Sequence, residues 1–402
     1  MLEYAGSQRR GLRADRGEGV ALLGVVRSLD WILLAGVAGL VAVGLWGIAG
    51  VTKFDIPGEP RYYLDKQILY AAVGGALLLA ATFIDPDVYA RYWRIVFGGT
   101  VGLIAVVFVV GRAARGSTRW IHVGFFTFQP SEFGKLLFVL ALAGLLAERQ
   151  RAVGAAGTTL RVLALGLVPV VLVFGQPDLG TALVYLAALG AMLFVAGSPW
   201  HHLTLLGSAA AAVVVVVLWA GPAVGVDFLK SYQKERLICF THPSTCPADA
   251  RYNVEQSIAA VGSGQVRGRG PNGSTQTRLD FLPEHHTDFV FASFSEQRGF
   301  MGASFLLALY LLVLWRGLRV VAVARDLYSA VVAGGIVVAL LFQIFVNVGM
   351  TMGIAPITGI PLPFVSVGGS SMIANLAAMG VLLAIHARGR GSRTSRVSSR
   401  RR

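Results

Sequence analysis

The sequence predicts an all-α polytopic membrane protein of ten transmembrane helices, with a large extracytoplasmic loop between the seventh and the eighth. Three observations carry that prediction. Of the 402 residues, 55% are hydrophobic and only 14% are charged, where soluble domains carry about 25%. Apolar runs of roughly 20 residues, the length of a bilayer-spanning helix, recur along the chain, as in "WILLAGVAGLVAVGLWGIAGV" and "LTLLGSAAAAVVVVVLWAG". The 49 glycines suit a membrane bundle, in which small residues let helices approach closely.

Taken in order, residues 1–27 form a polar tail with Arg9, Arg10, Arg13, Arg16 and Arg27. The run that follows is too long for a cleaved signal and lacks a persuasive cleavage site, so 31–51 is read as the first span. Further spans are placed near 67–84, 95–111, 131–147, 162–176, 179–197, 203–222, 297–315, 328–349 and 369–387. The chain ends in "RGRGSRTSRVSSRRR" (388–402), whose seven arginines supply half of the net charge of +14. Such a tail reads as a cytoplasmic segment that fixes orientation and touches anionic lipid; no nucleic-acid partner is expected. Ten spans put both termini in the cytoplasm, together with the Arg-bearing loops 91–94, 148–151 and 316–325. The membrane domain is then 28–387.

One loop disagrees with that orientation. "GRAARGSTRW" (111–120) places Arg112, Arg115 and Arg119 outside, against the usual inward bias of basic residues. Outside as well lies the longest connection, 223–288, which contains Cys239 and Cys246 in "CFTHPSTC". A disulfide would persist there, but it is an option rather than a requirement. Within the same loop, "YNVEQSIAAVGSG" has the apolar spacing of a short interfacial helix.

The ionisable residues near the bilayer fall at that same outer face. "QPSEFGKL" puts Glu132 in the first turn of the fourth span, three residues before Lys135, and "QPDLGTA" puts Pro177 and Asp178 at the start of the sixth. Proline and an acid are ordinary helix-start residues, and the Glu132–Lys135 spacing also suits a structural ion pair. Acids at membrane depth are nonetheless functional candidates by default. "LPEHHTDFVFASFSEQRGF" (282–300) adds Glu284, His285, His286 and Asp288. Asp288 at the membrane–water boundary could act as a general base or cap the eighth span. Adjacent histidines in an extended segment point to opposite faces, so a shared metal site is not expected of His285 and His286. Finally, "GIAPITGIPLPFVSVGGSSMIAN" lies in a block, Leu327 to Ala387, without Asp, Glu, Lys or Arg. Its prolines forbid a straight helix, and broken backbone at membrane depth must be buried in protein or line a cavity. External arginines beside these acids suit an anionic ligand such as a phosphate.

The motifs "QPSEFGKL", "QPDLGTA", "YNVEQSIAAVGSG", "TQTRLDFLPEHHTDFVFASFSEQRGFMG" and "GIPLPFVSVGGSS", in that order and spacing, resemble the SEDS family (shape, elongation, division and sporulation) over about residues 28–387. "TQTRLDFLPEHHTDF" is more similar to the elongation branch, the RodA type, than to the division branch, the FtsW type. The resemblance implies a peptidoglycan glycosyltransferase that polymerises lipid II at the outer face of the bacterial cytoplasmic membrane, during cell elongation and shape maintenance. It implies a class B penicillin-binding protein, a transpeptidase, as partner, alongside other elongation-complex membrane proteins. Asp288 matches the family's essential aspartate, and Glu132 and Lys135 match its fourth-helix pair. Asp178, Glu284, His286 and Ser366 fall in the matching motifs as supporting or substrate-binding residues. Arg112, Arg115 and Arg119, or a divalent cation (Mg2+ or Mn2+) held by carboxylates, would stabilise the departing pyrophosphate. The sequence "SEQRG" departs from the family's commoner Glu-Glu-Leu-Gly, which alters the surroundings of Asp288. The competing class is a lipid II flippase. Transporters gather their polar residues near the midplane between repeats; here the acids lie at one face, which favours the enzyme.

Overall fold

The computed structural model describes residues 27–114, 117–123, 126–216, 240 and 248–400. Its long helices are α1 (Trp31–Val51), α2 (Tyr62–Phe83), α3 (Trp93–Val110), α4 (Pro130–Glu148), α5 (Ala156–Gly175), α6 (Leu179–Ala196), α7 (Trp200–Val215), α8 (Ala248–Ser263), α9 (Val290–Val323), α10 (Leu327–Thr351) and α11 (Gly369–Arg400). Among the described residues nine of these, all but α7 and α8, are long and apolar enough to cross a membrane. The seventh expected span, 203–222, coincides with α7, but residues beyond 216 lie outside the described set. So do Cys239, Cys246, Arg115 and the N-terminal tail before residue 27. The C-terminal helix continues through the basic segment to Arg400, past the expected end of the span at 387.

The all-α membrane bundle is as expected, with one local addition: the basic loop after α3 forms a small antiparallel sheet of β1 (Arg112–Ala114), β2 (Ser117–Val123) and β3 (Phe126–Phe128), in the order β1-β2-β3. The β-branched and aromatic residues of "STRWIHV" favour that state. The eighth span also starts earlier and ends later than 297–315. It is broken at Gly299 (φ 66°, ψ −168°), and the 264–270 turn enters the break. Phe300 N donates to Gln265 O (2.7 Å) and Met301 N to Val266 O (3.1 Å). A Cβ on Gly299 would lie 2.3 Å from Gly268 N, so only glycine fits both the dihedral and the space.

Helices α4, α10 and α11 are buried on most faces and form the centre. Phe138, Leu140 and Leu142 of α4 pack with Tyr185 and Met192 of α6 and with Val331 and Val332 of α10 in one apolar cluster. Among the described residues, charges gather at the two ends. At one end Arg316 grips Asp30, which also caps α1 through Leu33 N (3.0 Å); Arg325 pairs with Asp85 and Asp87, and Arg94 with Glu148. At the other end the α1–α2 connection, the sheet, the starts of α4 and α6, helix α8, the 282–289 turn and the 352–368 segment meet.

The 352–368 segment is non-helical and largely buried; Leu362, Phe364 and Val365 are at most 1% exposed. Buried backbone must find partners, and here side chains supply them. Gln67 of α2 donates to Ser366 O (3.1 Å) and accepts from Gly368 N (3.2 Å). Asn347 of α10 donates to Ile360 O (2.8 Å), the Tyr310 hydroxyl donates to Pro363 O, and Ser366 Oγ accepts from Leu362 N (2.8 Å). Gly44 makes room on α1, since a Cβ there would meet Phe364 O at 2.3 Å.

Candidate active site

Asp288 lies two residues ahead of α9 on a turn that spans 283–289. The N-cap position of α9 is taken by Phe289, with no side-chain cap bond, and Asp288 lies one residue before it. Its backbone is fixed by the broken segment and α10. Asn347 Nδ2 donates to Asp288 O (2.8 Å), Ser366 Oγ to Thr287 O (2.6 Å), and Val367 N to His286 O (2.9 Å). Glu284 closes the turn from the other side: it sits at φ 55°, and its carboxylate accepts from Thr287 Oγ1 (2.8 Å). The Asp288 side chain remains half-buried.

Asn347 also connects this turn to the fourth-helix pair. Lys135 Nζ lies 2.9 Å from both oxygens of Glu132 and 3.1 Å from Gln343 Oε1. Gln343 and Asn347 are four residues apart, hence about 6 Å along one face of α10. One end of that stripe holds the ion pair and the other holds the Asp288 turn. Glu132 is 1% exposed, and beside it a cavity of about 30 Å³ is lined by Glu132, Lys135, Gln343 and Asn375, room for a water.

Asp178 caps α6 through Thr181 N (3.1 Å), at the expected start of the sixth span, and Pro177 precedes the cap rather than opening the helix. Its carboxylate also accepts from Gln129 Nε2 (3.2 Å) and lies 3.4 Å from the Arg119 guanidinium on β2. Of Arg112, Arg115 and Arg119, Arg119 therefore has a buried acidic partner. Arg112 starts β1, and its side chain, like all of Arg115, is outside the described set.

The histidines overturn one expectation. The turn is not extended, and His285 and His286 both face Asp55 of the α1–α2 connection, at 3.0 Å from Nε2 and 3.5 Å from Nδ1 respectively. Burial pushes the His285 imidazolium down, but the hydrogen bond and charge of Asp55, with Asp280 behind it, outweigh this and leave its pKa raised. The reading of the sequence missed Asp55, Gln67, Gln343, Asn347 and Glu296. Glu296, fully buried, accepts from Gln276 N, Thr277 N and Thr277 Oγ1 at 2.7 to 3.0 Å and so holds the loop before the turn. Gln343 and Asn347 did carry a signal: two amides at helical spacing inside the apolar run "LLFQIFVNVGM".

Fold and site together define a multi-pass membrane protein whose buried acids converge on broken backbone at one end of the bundle. The family model of the FtsW, RodA and SpoVE cell cycle proteins matches residues 27–391, and the chain belongs to that family. It is 34% identical over 347 residues to the peptidoglycan glycosyltransferase MrdB of Escherichia coli, covering 86% of this chain and 92% of that one. It is 33% identical to the peptidoglycan glycosyltransferase RodA of Treponema pallidum (90% and 98% covered), and 35% identical to a probable FtsW of Thioalkalivibrio sulfidiphilus (93% and 94%). Among solved structures, a chain of a peptidoglycan synthase complex that coordinates polymerization and crosslinking superposes with a TM-score of 0.75 at 32% identity, covering 90% of this chain and 98% of that chain. The rod shape determining protein RodA of Thermus thermophilus gives 0.66 at 31%, covering 89% and 96%. The chain is thus a glycosyltransferase of the peptidoglycan class.

Proposed function

We propose that the chain polymerises lipid II, the undecaprenyl-pyrophosphate-linked disaccharide peptide, at the outer face of the cytoplasmic membrane, in the elongation role, with both termini in the cytoplasm. Asp288 takes the proton from the acceptor sugar's 4-hydroxyl as that oxygen attacks the donor's anomeric carbon. The bond to the lipid pyrophosphate breaks on the opposite side, which converts an α-linked donor into a β-1,4-linked product in one inverting displacement. The observation that carries this reading is the half-buried carboxylate of Asp288 on a turn whose backbone is pinned by Ser366, Val367 and Asn347. A general base must be held in place to contribute its usual factor of about 10²–10⁴.

The Glu132–Lys135 pair, through Gln343 and Asn347, positions that turn. Arg119, on the same end as Asp178, is the described arginine best placed to offset charge on the leaving pyrophosphate. A divalent cation such as Mg2+ or Mn2+, when bound, would add positive charge there. Glu132 and Asp178 already meet Lys135 and Arg119, so neither stands ready as its ligand. A class B penicillin-binding protein as partner is supported by the similarity to a synthase complex that couples polymerization to crosslinking.

The test is incubation of the purified protein with lipid II, alone and with a class B penicillin-binding protein. Glycan strands on gels are expected. Transbilayer movement of lipid II without any polymer, with or without the partner, would replace this reading with the flippase.

A further inference from the structure

The α1–α2 connection delivers Asp55 to two histidines that follow it by 230 residues or more. Each oxygen of its carboxylate faces a different imidazole nitrogen: Oδ1 lies 3.0 Å from His285 Nε2 and Oδ2 lies 3.5 Å from His286 Nδ1. One ligand atom from each of the three residues can be chosen so that all lie within 4.8 Å of one another. A tetrahedral ion with bonds of about 2.0–2.2 Å sets its ligand atoms roughly 3.4 Å apart, so the three groups need little movement to share one.

Proton placement sharpens the point. His285 Nδ1 lies 3.2 Å from Leu282 O, and a carbonyl only accepts, so Nδ1 carries the hydrogen there. Nε2 then faces a carboxylate oxygen with a bare lone pair unless a cation, a proton or a metal, lies between them. The same carbonyl contact is the outer-shell bond that orients metal-binding histidines. Asp55 Oδ2 is buried and accepts no hydrogen bond, which leaves a second lone-pair site for a cation. The side chains of Asp55 and His285 are only 11% and 5% exposed, and the Tyr63 ring covers His286 with ring centroids 4.8 Å apart.

We propose that Asp55, His285 and His286 form a binding site for a borderline divalent transition metal of the Zn2+ class. Two imidazoles and one carboxylate suit Zn2+, whereas Mg2+ takes oxygen ligands in near-ideal octahedra. Three protein ligands leave the metal a position for water or an anionic oxygen. The ion would staple the α1–α2 connection to the turn that carries Asp288. The inference rests on the loop geometry and not on Asp288 acting as a base.

The test uses the full chain, purified in detergent through a tag without histidine and stripped of metal, then titrated with Zn2+ by calorimetry without lipid II. Wild type and Asp288→Asn are both expected to bind one equivalent, which excess Mg2+ does not displace. Asp55→Asn and His285→Gln are each expected to weaken that binding by more than about 100-fold, beyond the 10–100-fold typical of losing an outer-shell partner. Because a variant could misfold, wild type loaded with Co2+ is read as well, and the intense visible absorption of a four-coordinate site is expected. Absence of Zn2+ binding, binding unchanged in both ligand variants, displacement by Mg2+, or a weak six-coordinate Co2+ spectrum would each overturn the proposal. Polymerisation by Asp288→Asn at the wild-type rate, with metal binding intact, would instead count against the reading of the catalytic turn alone.

Discussion

Asn347 spends both hydrogens of its amide on carbonyls of different segments, Asp288 O and Ile360 O, each at 2.8 Å. Leucine has nearly the same shape and no donor. Asn347→Leu therefore leaves two carbonyls without that partner, and a buried group so stranded costs about 1–3 kcal/mol. The expected result is a lower unfolding temperature in detergent, with polymerisation reduced more than lipid II affinity. Lys135 tests the other end of the stripe. Lys135→Met strands the Glu132 carboxylate, and breaking a buried pair from one side costs about 3–5 kcal/mol. Glu132→Gln with Lys135→Met removes both charges, and thermal unfolding is expected to show most of the loss restored.

Among the elements, α1 depends on two contacts that differ in kind. Gly44 faces backbone, Phe364 O, at a distance no Cβ tolerates, while Gly39 faces only the Leu309 side chain at 3.5 Å. Gly44→Ala is expected to destabilise by the 1–3 kcal/mol or so of overpacking and to disturb the broken segment; Gly39→Ala should be near neutral in the same melting experiment. At the opposite end, Asp30→Asn keeps a helix cap but leaves Arg316, 7% exposed, without its carboxylate. A larger loss of stability is expected from Asp30→Asn alone than from Asp30→Asn combined with Arg316→Met. These elements also show what the sequence made legible. Span positions, the first-turn Glu132 with Lys135, and the proline-broken segment follow from local composition and spacing. The Asp55–His285 contact joins residues 230 apart, and Gln67 reaches Ser366 across 299; no local pattern encodes such pairs. The sheet at 112–128 escaped because three short strands are too brief for a period-two signal, and the basic residues drew attention as charges.

Among the described residues, charge is sorted to the two ends of an apolar bundle, and one of those ends combines it with buried non-helical backbone. At the other end several charges are held in ion pairs, as Arg316 with Asp30 and Arg94 with Glu148. That asymmetry suits the proposed substrate, whose polar sugar-pyrophosphate head would meet a polar site level with the membrane surface while its lipid tail stays in the bilayer. The convergence of acids at one face was legible in the sequence, and the family resemblance pointed to Glu284 and Ser366; Asn347 was not found, because it reaches Asp288 from 59 residues away and holds its backbone carbonyl. The most direct measurement compares wild type with Asp288→Asn in single-turnover polymerisation of lipid II, with lipid II binding measured in parallel. The account predicts unchanged binding and a rate lower by a factor on the order of 10²–10⁴. Polymerisation by Asp288→Asn at the wild-type rate would contradict it.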